Sequence, residues 1–191
     1  KIMNNDIQKE AIIFIKKNKK ELIERFANDE ICSPESDQIS IFMAGSPGSG
    51  KTEFSKNFIK KINLKIIRID ADEIKNFIPQ YNKKNSSQVQ GASALGVEYL
   101  YDYVLKAKKS MILDGTFANY EKSCENIERS LKRHRFTEIY YLYQEPLIAW
   151  QFTKAREELE ERVVPKTIFV DSLFKAKENA QRVKQKFGSN V

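Results

Sequence analysis

The stretch Gly45-Ser46-Pro47-Gly48-Ser49-Gly50-Lys51-Thr52 constrains this chain more than any other. It follows ISIFMA (39–44), a short apolar run rich in β-branched residues, the pattern of a buried strand. A helical pattern over about 51–61 follows it. The glycines allow backbone angles closed to other residues and let N–H groups come close to a ligand. A turn that opens directly into a helix also offers free N–H groups and the positive end of the helix dipole, which favours anions.

The remaining pattern extends this unit. A long helix is expected over about 5–27, where Ile7, Ala11, Phe14, Ile15, Leu22, Ile23 and Phe26 recur at helical spacing behind a cap at Asn5 or Asp6. CSPESDQ (32–38) reads as a loop. KIIRI (65–69) is the second predicted strand, ending in the acidic loop Asp70-Ala71-Asp72. The polar segment 82–88 reads as a mobile loop. A helix over about 89–108, the strand SMILD (110–114), a helix over about 119–134, the strand TEIYYLY (137–143) and two C-terminal helices complete the reading. Strands alternating with helices predict an α/β fold with a mostly parallel sheet covered on both faces.

Composition narrows the class. The 191 residues suit a single domain over 1–191, divided as an N-terminal helix and loop (1–38), a core (39–170) and a C-terminal helix (171–191). The net charge of +7 is spread, at −1, +5 and +3 over 1–38, 39–118 and 119–191, so no basic arm or tail points to nucleic acid. No apolar run approaches the ~18 residues of a membrane helix, and the first twenty residues lack the pattern of a signal peptide. Cys32, Cys124 and His134 have no metal-type spacing. His134 reads as a solvated helix end and Trp150 as core. A reducing cytoplasm is the expected location.

The glycine-rich turn matches G-x-x-x-x-G-K-[ST], the phosphate-binding loop of nucleotide-binding proteins. Residues Gly45 to Thr52 would cradle the phosphates of ATP, with Lys51 at the β- and γ-phosphates and the Thr52 hydroxyl on Mg2+. The fold class becomes a P-loop NTPase, a three-layer sandwich, although the loop alone does not separate a kinase from a switch or a motor. Carboxyl ends of parallel strands face the ligand crevice. Asp70, Asp72 and Asp114, with Thr116 close behind, therefore gather beside the loop. Phosphoryl transfer to an alcohol needs a carboxylate at the attacking hydroxyl and a metal on the phosphates. Asp72 suits the first need. Asp70 either orders Mg2+ through water or caps a turn, and Asp114 contacts metal-bound water or substrate. Arg156 and Arg162 flank a helix break at Val163-Val164-Pro165 and would converge on a transferring phosphate. The plain alternative is a solvated face paired with Glu157, Glu158, Glu160 and Glu161.

Taken together, GSPGSGKT (45–52), IRIDADEIKNFIPQY (67–81), ILDGTF (112–117) and AREELEERVVPKTI (155–168) resemble the zeta toxin family of P-loop kinases. The resemblance implies phosphorylation of the sugar 3′-hydroxyl of UDP-N-acetylglucosamine with ATP and Mg2+, and a small antitoxin protein as partner. It implies Asp72 as catalytic base, Lys51, Arg156 and Arg162 as phosphate-binding catalytic groups, and Glu98, Asp114 and Thr116 as substrate contacts. The chain departs from the family pattern at 114, where Asp stands in place of a longer Glu. The alternatives are a kinase of another small hydroxyl-bearing metabolite and a nucleotide-dependent switch or ATPase.

Overall fold

The computed structural model describes residues 2–62, 65–160 and 163–191. Four strands, β1 (Ile39–Ala44), β2 (Ile67–Asp70), β3 (Met111–Asp114) and β4 (Phe136–Tyr141), pair in parallel in the order β2-β3-β1-β4. β1 is therefore an inner strand, and its last five residues are buried. Period-two alternation sends Phe42 and Ala44 to one face and Ile41 and Met43 to the other. The first face packs under α1 (Ile2–Lys17), α2 (Lys19–Ala27), α5 (Gln90–Lys106) and α6 (Tyr120–Leu131), with Ile15, Leu22, Leu100, Tyr101, Val104 and Ile127 fully buried. On the second face Phe54 and Phe58 of α3 (Lys51–Ile62) stack on each other at 5.7 Å and pack tilted against Tyr140 at 5.5 and 5.6 Å between ring centroids. Each large apolar side chain so buried contributes roughly 1.5–3 kcal/mol relative to exposure. The result is the expected helix–sheet–helix sandwich.

Several elements differ in detail from the sequence reading. The N-terminal helix divides at Asn18, whose Nδ2 donates to the Phe14 carbonyl at 2.9 Å. An Asn side chain competes in this way with the helix ladder. The second strand begins at Ile67 and runs through Asp70, and the expected acidic loop is instead the short helix α4 (Ala71–Lys75). Asp70 caps it, its Oδ1 accepting from the Asp72 N–H at 2.8 Å. The loop 82–88 ties itself down by reciprocal bonds, Asn82 N to Asn85 Oδ1 at 2.9 Å and Asn85 N to Asn82 Oδ1 at 3.0 Å. The two C-terminal helices are α7 (Pro146–Glu160) and α8 (Lys166–Phe187). Trp150 of α7 packs on Phe169 of α8, with ring centroids 5.0 Å apart. His134 is exposed with φ +55, at the turn after α6.

Candidate active site

β1 ends at Ala44 and the chain turns at once into the glycine-rich loop, which delivers Lys51 and Thr52 to the first turn of α3. Gly48, with φ +72, lies directly beneath α7. A Cβ there would sit 2.1 Å from the Ala149 carbonyl oxygen and 2.7 Å from Thr153 Oγ1. Only glycine lets loop and helix approach so closely. Lys51 folds back over the loop, its Nζ donating to the Gly45 and Ser46 carbonyls at 2.9 and 2.6 Å. Burial pulls its ammonium down to about 8; Asp114 opposes that shift and the nearby Arg156 cation adds to it.

A cavity of about 490 Å3 opens over this loop. Residues 47–52 form one wall. Asp70, Asp72, Asp114 and Thr116, from the carboxyl ends of β2 and β3, form another. Arg156 of α7 faces the cavity, and Phe152 and Leu159 are exposed at 55% and 83% along its margin. Thr116 also fastens the two walls together, its carbonyl accepting from the Gly45 N–H at 3.3 Å.

The three aspartates are held differently. Asp72, in the first turn of α4, has a side chain 40% exposed, and its Oδ1 lies 3.2 Å from Nζ of the buried Lys75. Lys75 in turn donates to Ser86 Oγ at 2.9 Å, which ties the 82–88 loop to Asp72. Asp70 and Asp114 are both gripped by Arg68 of β2, which also pairs with Glu73. Burial raises the Asp70 carboxyl above its ordinary range; Arg68 opposes this, and the Asp114 charge adds to it.

Arg68, Ser55, Lys75 and Thr153 had no role in the sequence reading. Arg68 carries the one signal that was available: a charge inside an apolar strand, two residues before Asp70 and so on the same strand face. Glu98 is not brought to the cavity. It pairs with Lys122 at 2.9 Å and Arg129 at 3.2 Å between α5 and α6, because helical spacing along α5 turns it toward α6. Arg162 lies outside the described residues. Just beyond it, the Val164 N–H donates to Glu157 Oε1 at 2.6 Å, and Glu157 also accepts from Lys154 at 2.6 Å. These bonds and the Lys154 charge hold the Glu157 carboxyl below its ordinary range.

A parallel sheet with a phosphate-binding loop after an inner strand, and acidic strand ends beside it, defines a P-loop protein of the kinase type. A family model described as zeta toxin matches residues 23–191, and the chain belongs to that family. Among solved structures, one from the PezAT chromosomal toxin–antitoxin system of the human pathogen Streptococcus pneumoniae superposes with a TM-score of 0.72 at 18% identity. The match covers 94% of this chain and 75% of that one. A chain of the Pnkp1/Rnl/Hen1 RNA repair complex gives 0.62 at 14% identity, over 78% and 47% of the two chains. AvrRxo1-ORF1:-ORF2 with ATP gives 0.62 at 13% identity, over 97% and 57%. At these identities the likeness is one of fold. No curated protein sequence matches the chain. Among the described residues no helix is long and apolar enough to cross a membrane.

Proposed function

We propose that this chain is a single-domain phosphotransferase that moves the γ-phosphate of ATP to a hydroxyl of a small acceptor, with UDP-N-acetylglucosamine as the acceptor to test first. The observation that carries the reading is the shared cavity, with the phosphate-binding loop on one wall, Asp72 and Asp114 on another, and Arg156 facing both.

The loop amides and Lys51 bind the phosphates, Lys51 exchanging the Gly45 and Ser46 carbonyls for phosphate oxygens. Asp72 accepts the proton of the attacking hydroxyl and fixes the oxygen's direction. Arg156, with Arg162, neutralises charge on the transferring group. The donor set fits Mg2+. Thr52 offers a hard hydroxyl oxygen in the first turn of α3. Both Asp70 oxygens already accept protein donors, from Asp72 N and Arg68, so Asp70 suits contact through water. When bound, the ion would neutralise the phosphate oxygens. Thr116 and Asp114 border the acceptor's side of the cavity. The family and the toxin–antitoxin neighbour support a small antitoxin protein as partner, and the free thiols of Cys32 and Cys124 are in keeping with a cytoplasmic location.

A second reading, a kinase of another small hydroxyl-bearing metabolite, is favoured by two features: Glu98 is paired away from the cavity and Asp114 is gripped by Arg68. Mass spectrometry of UDP-N-acetylglucosamine incubated with the protein, ATP and Mg2+ tests the first reading. Gain of one phosphate supports it. Transfer to another acceptor in a panel, with none to this sugar nucleotide, selects the second. ATP hydrolysis without any acceptor defeats both.

A further inference from the structure

Asp70 and Asp114 are register partners on adjacent parallel strands. Asp70 and Asp114 line the cavity over the phosphate-binding loop, and Glu73, in the first turn of α4, shares their partner Arg68, so three carboxylates lie close together. Like charges placed this way repel one another and repel an anionic ligand. Arg68 lies among them with its side chain only 8% exposed. One of its terminal nitrogens reaches Asp70 Oδ2 at 2.5 Å and also Asp114 Oδ2, and the other reaches Glu73 Oε1 at 2.5 Å. Its Nε is shared between Ser55 Oγ at 2.9 Å and Asp114 Oδ2 at 3.0 Å. The guanidinium fork thus joins β2, β3, α4 and α3, the helix that begins at Lys51. Among the described residues, the Arg68 and Ser55 donors to Asp114 converge on one oxygen, Oδ2, with Ser55 Oγ 3.1 Å away.

We propose that Arg68 is a positioning residue of the phosphate-transfer site: a built-in counter-ion that neutralises the acidic wall and holds Asp70 and Asp114 in fixed directions beside the loop. This rests on the phosphotransferase reading of the same site. It gives Arg68 two separable effects. Its charge admits the anionic nucleotide to a cavity with an acidic wall. Its rigid planar fork holds two carboxylates in fixed relative directions, which the compact, rotating ammonium of a flexible lysine does not. Asp114, held through Oδ2 by protein donors, is thereby fixed in direction at the cavity wall.

The test is calorimetric binding of ADP to Arg68→Met and Arg68→Lys, with excess Mg2+ and with a chelator, beside kcat and KM for transfer. Arg68→Met is expected to lose at least about tenfold in affinity for metal-free ADP, because a buried charge near the phosphates is gone. Mg2+-bound ADP should lose less, since the divalent ion supplies part of the missing charge. Arg68→Lys should restore ADP affinity to within roughly threefold of wild type while kcat stays at least about tenfold low, because the charge returns without the fork. Adding Asp114→Asn to Arg68→Lys should lower kcat little further, as expected of groups acting as a unit. Wild-type affinity for both forms of ADP in Arg68→Met would overturn the proposal. So would an equal loss for both forms that Lys does not rescue. If circular dichroism shows Arg68→Met unfolded, Arg68→Lys decides alone: wild-type kcat, or an equal loss of both forms of ADP, overturns it. Failure of the phosphotransferase reading would look different, as wild-type protein that binds ADP in neither form, and it would take this proposal with it.

Discussion

Asp72 and Asp70 stand two residues apart in different surroundings. Asp72 is open to the cavity and touched by a lysine at 3.2 Å; Asp70 is 13% exposed and bonded through both oxygens. The more exposed Asp72 is the one proposed to meet an acceptor hydroxyl. Asp72→Asn keeps the shape and removes the basicity, so kcat should fall roughly 10²–10⁴-fold with little change in ADP affinity. Steady-state kinetics beside calorimetry checks this, and a kcat within a few-fold of wild type would remove Asp72 from the role of base. Asp70→Asn preserves a good helix cap and removes a charge that burial and the neighbouring Asp114 disfavour in the folded protein. Its unfolding free energy in urea at neutral pH should therefore be no lower than that of wild type. A clear loss of stability would mean that the ionic bond to Arg68 outweighs the cost of burying the charge.

At the scale of elements, the phosphate-binding loop and α7 meet closely at Gly48. A methyl group there meets the Ala149 carbonyl at 2.1 Å and keeps an unfavourable φ of +72. Gly48→Ala should therefore push α7 off the loop, lower stability by about 1–3 kcal/mol and weaken ADP binding, since Arg156 rides on the same helix. Urea melts and calorimetry read the two effects, and a variant normal in both would show that α7 is free to move. Glu157 ties α7 to the segment just before α8, bonding the Val164 N–H and Lys154. Because its folded pKa lies below the ordinary 4.5, the carboxylate adds stability above about that pH and loses it as pH falls through the lower folded value. Glu157→Gln should thus be less stable than wild type at neutral pH, with the difference closing in acid. A gap that stays constant from pH 7 to below the folded value would show that the charge of Glu157 plays no part.

For the whole molecule, α8 returns across the core to the site. Its buried Asn179 donates from Nδ2 to the Phe117 carbonyl at 3.0 Å. Phe117 has φ +63 and follows Thr116, whose own carbonyl fastens the phosphate-binding loop. The far end of the chain in this way braces the turn beside the cavity. Asn179→Ala leaves that carbonyl without its donor and should cost about 1–3 kcal/mol, with a parallel loss of ADP affinity. A loss of stability with ADP affinity unchanged would confine α8 to packing.

Sequence alone determined what depends on neighbours along the chain. The eight residues of the loop, the apolar strands and the helix periods each state their structure within a few positions, so the α/β class and the cluster of Asp70, Asp72, Asp114 and Thr116 at one sheet edge were legible. Tertiary structure decided what depends on register and facing. Arg68 and Asp114 are 46 positions apart and meet because β2 and β3 pair with Asp70 opposite Asp114. Glu98 lies on a helix whose position was foreseen, but which face of α5 meets α6 set its partners, Lys122 and Arg129. The cap at Asp70 shows both levels at once: Asp is a good cap in any sequence, but only the packed strand end brings Arg68 to its other oxygen. Backbone angles and periodicity are local properties, whereas a buried charge takes its partner from whatever the packing places within hydrogen-bond reach.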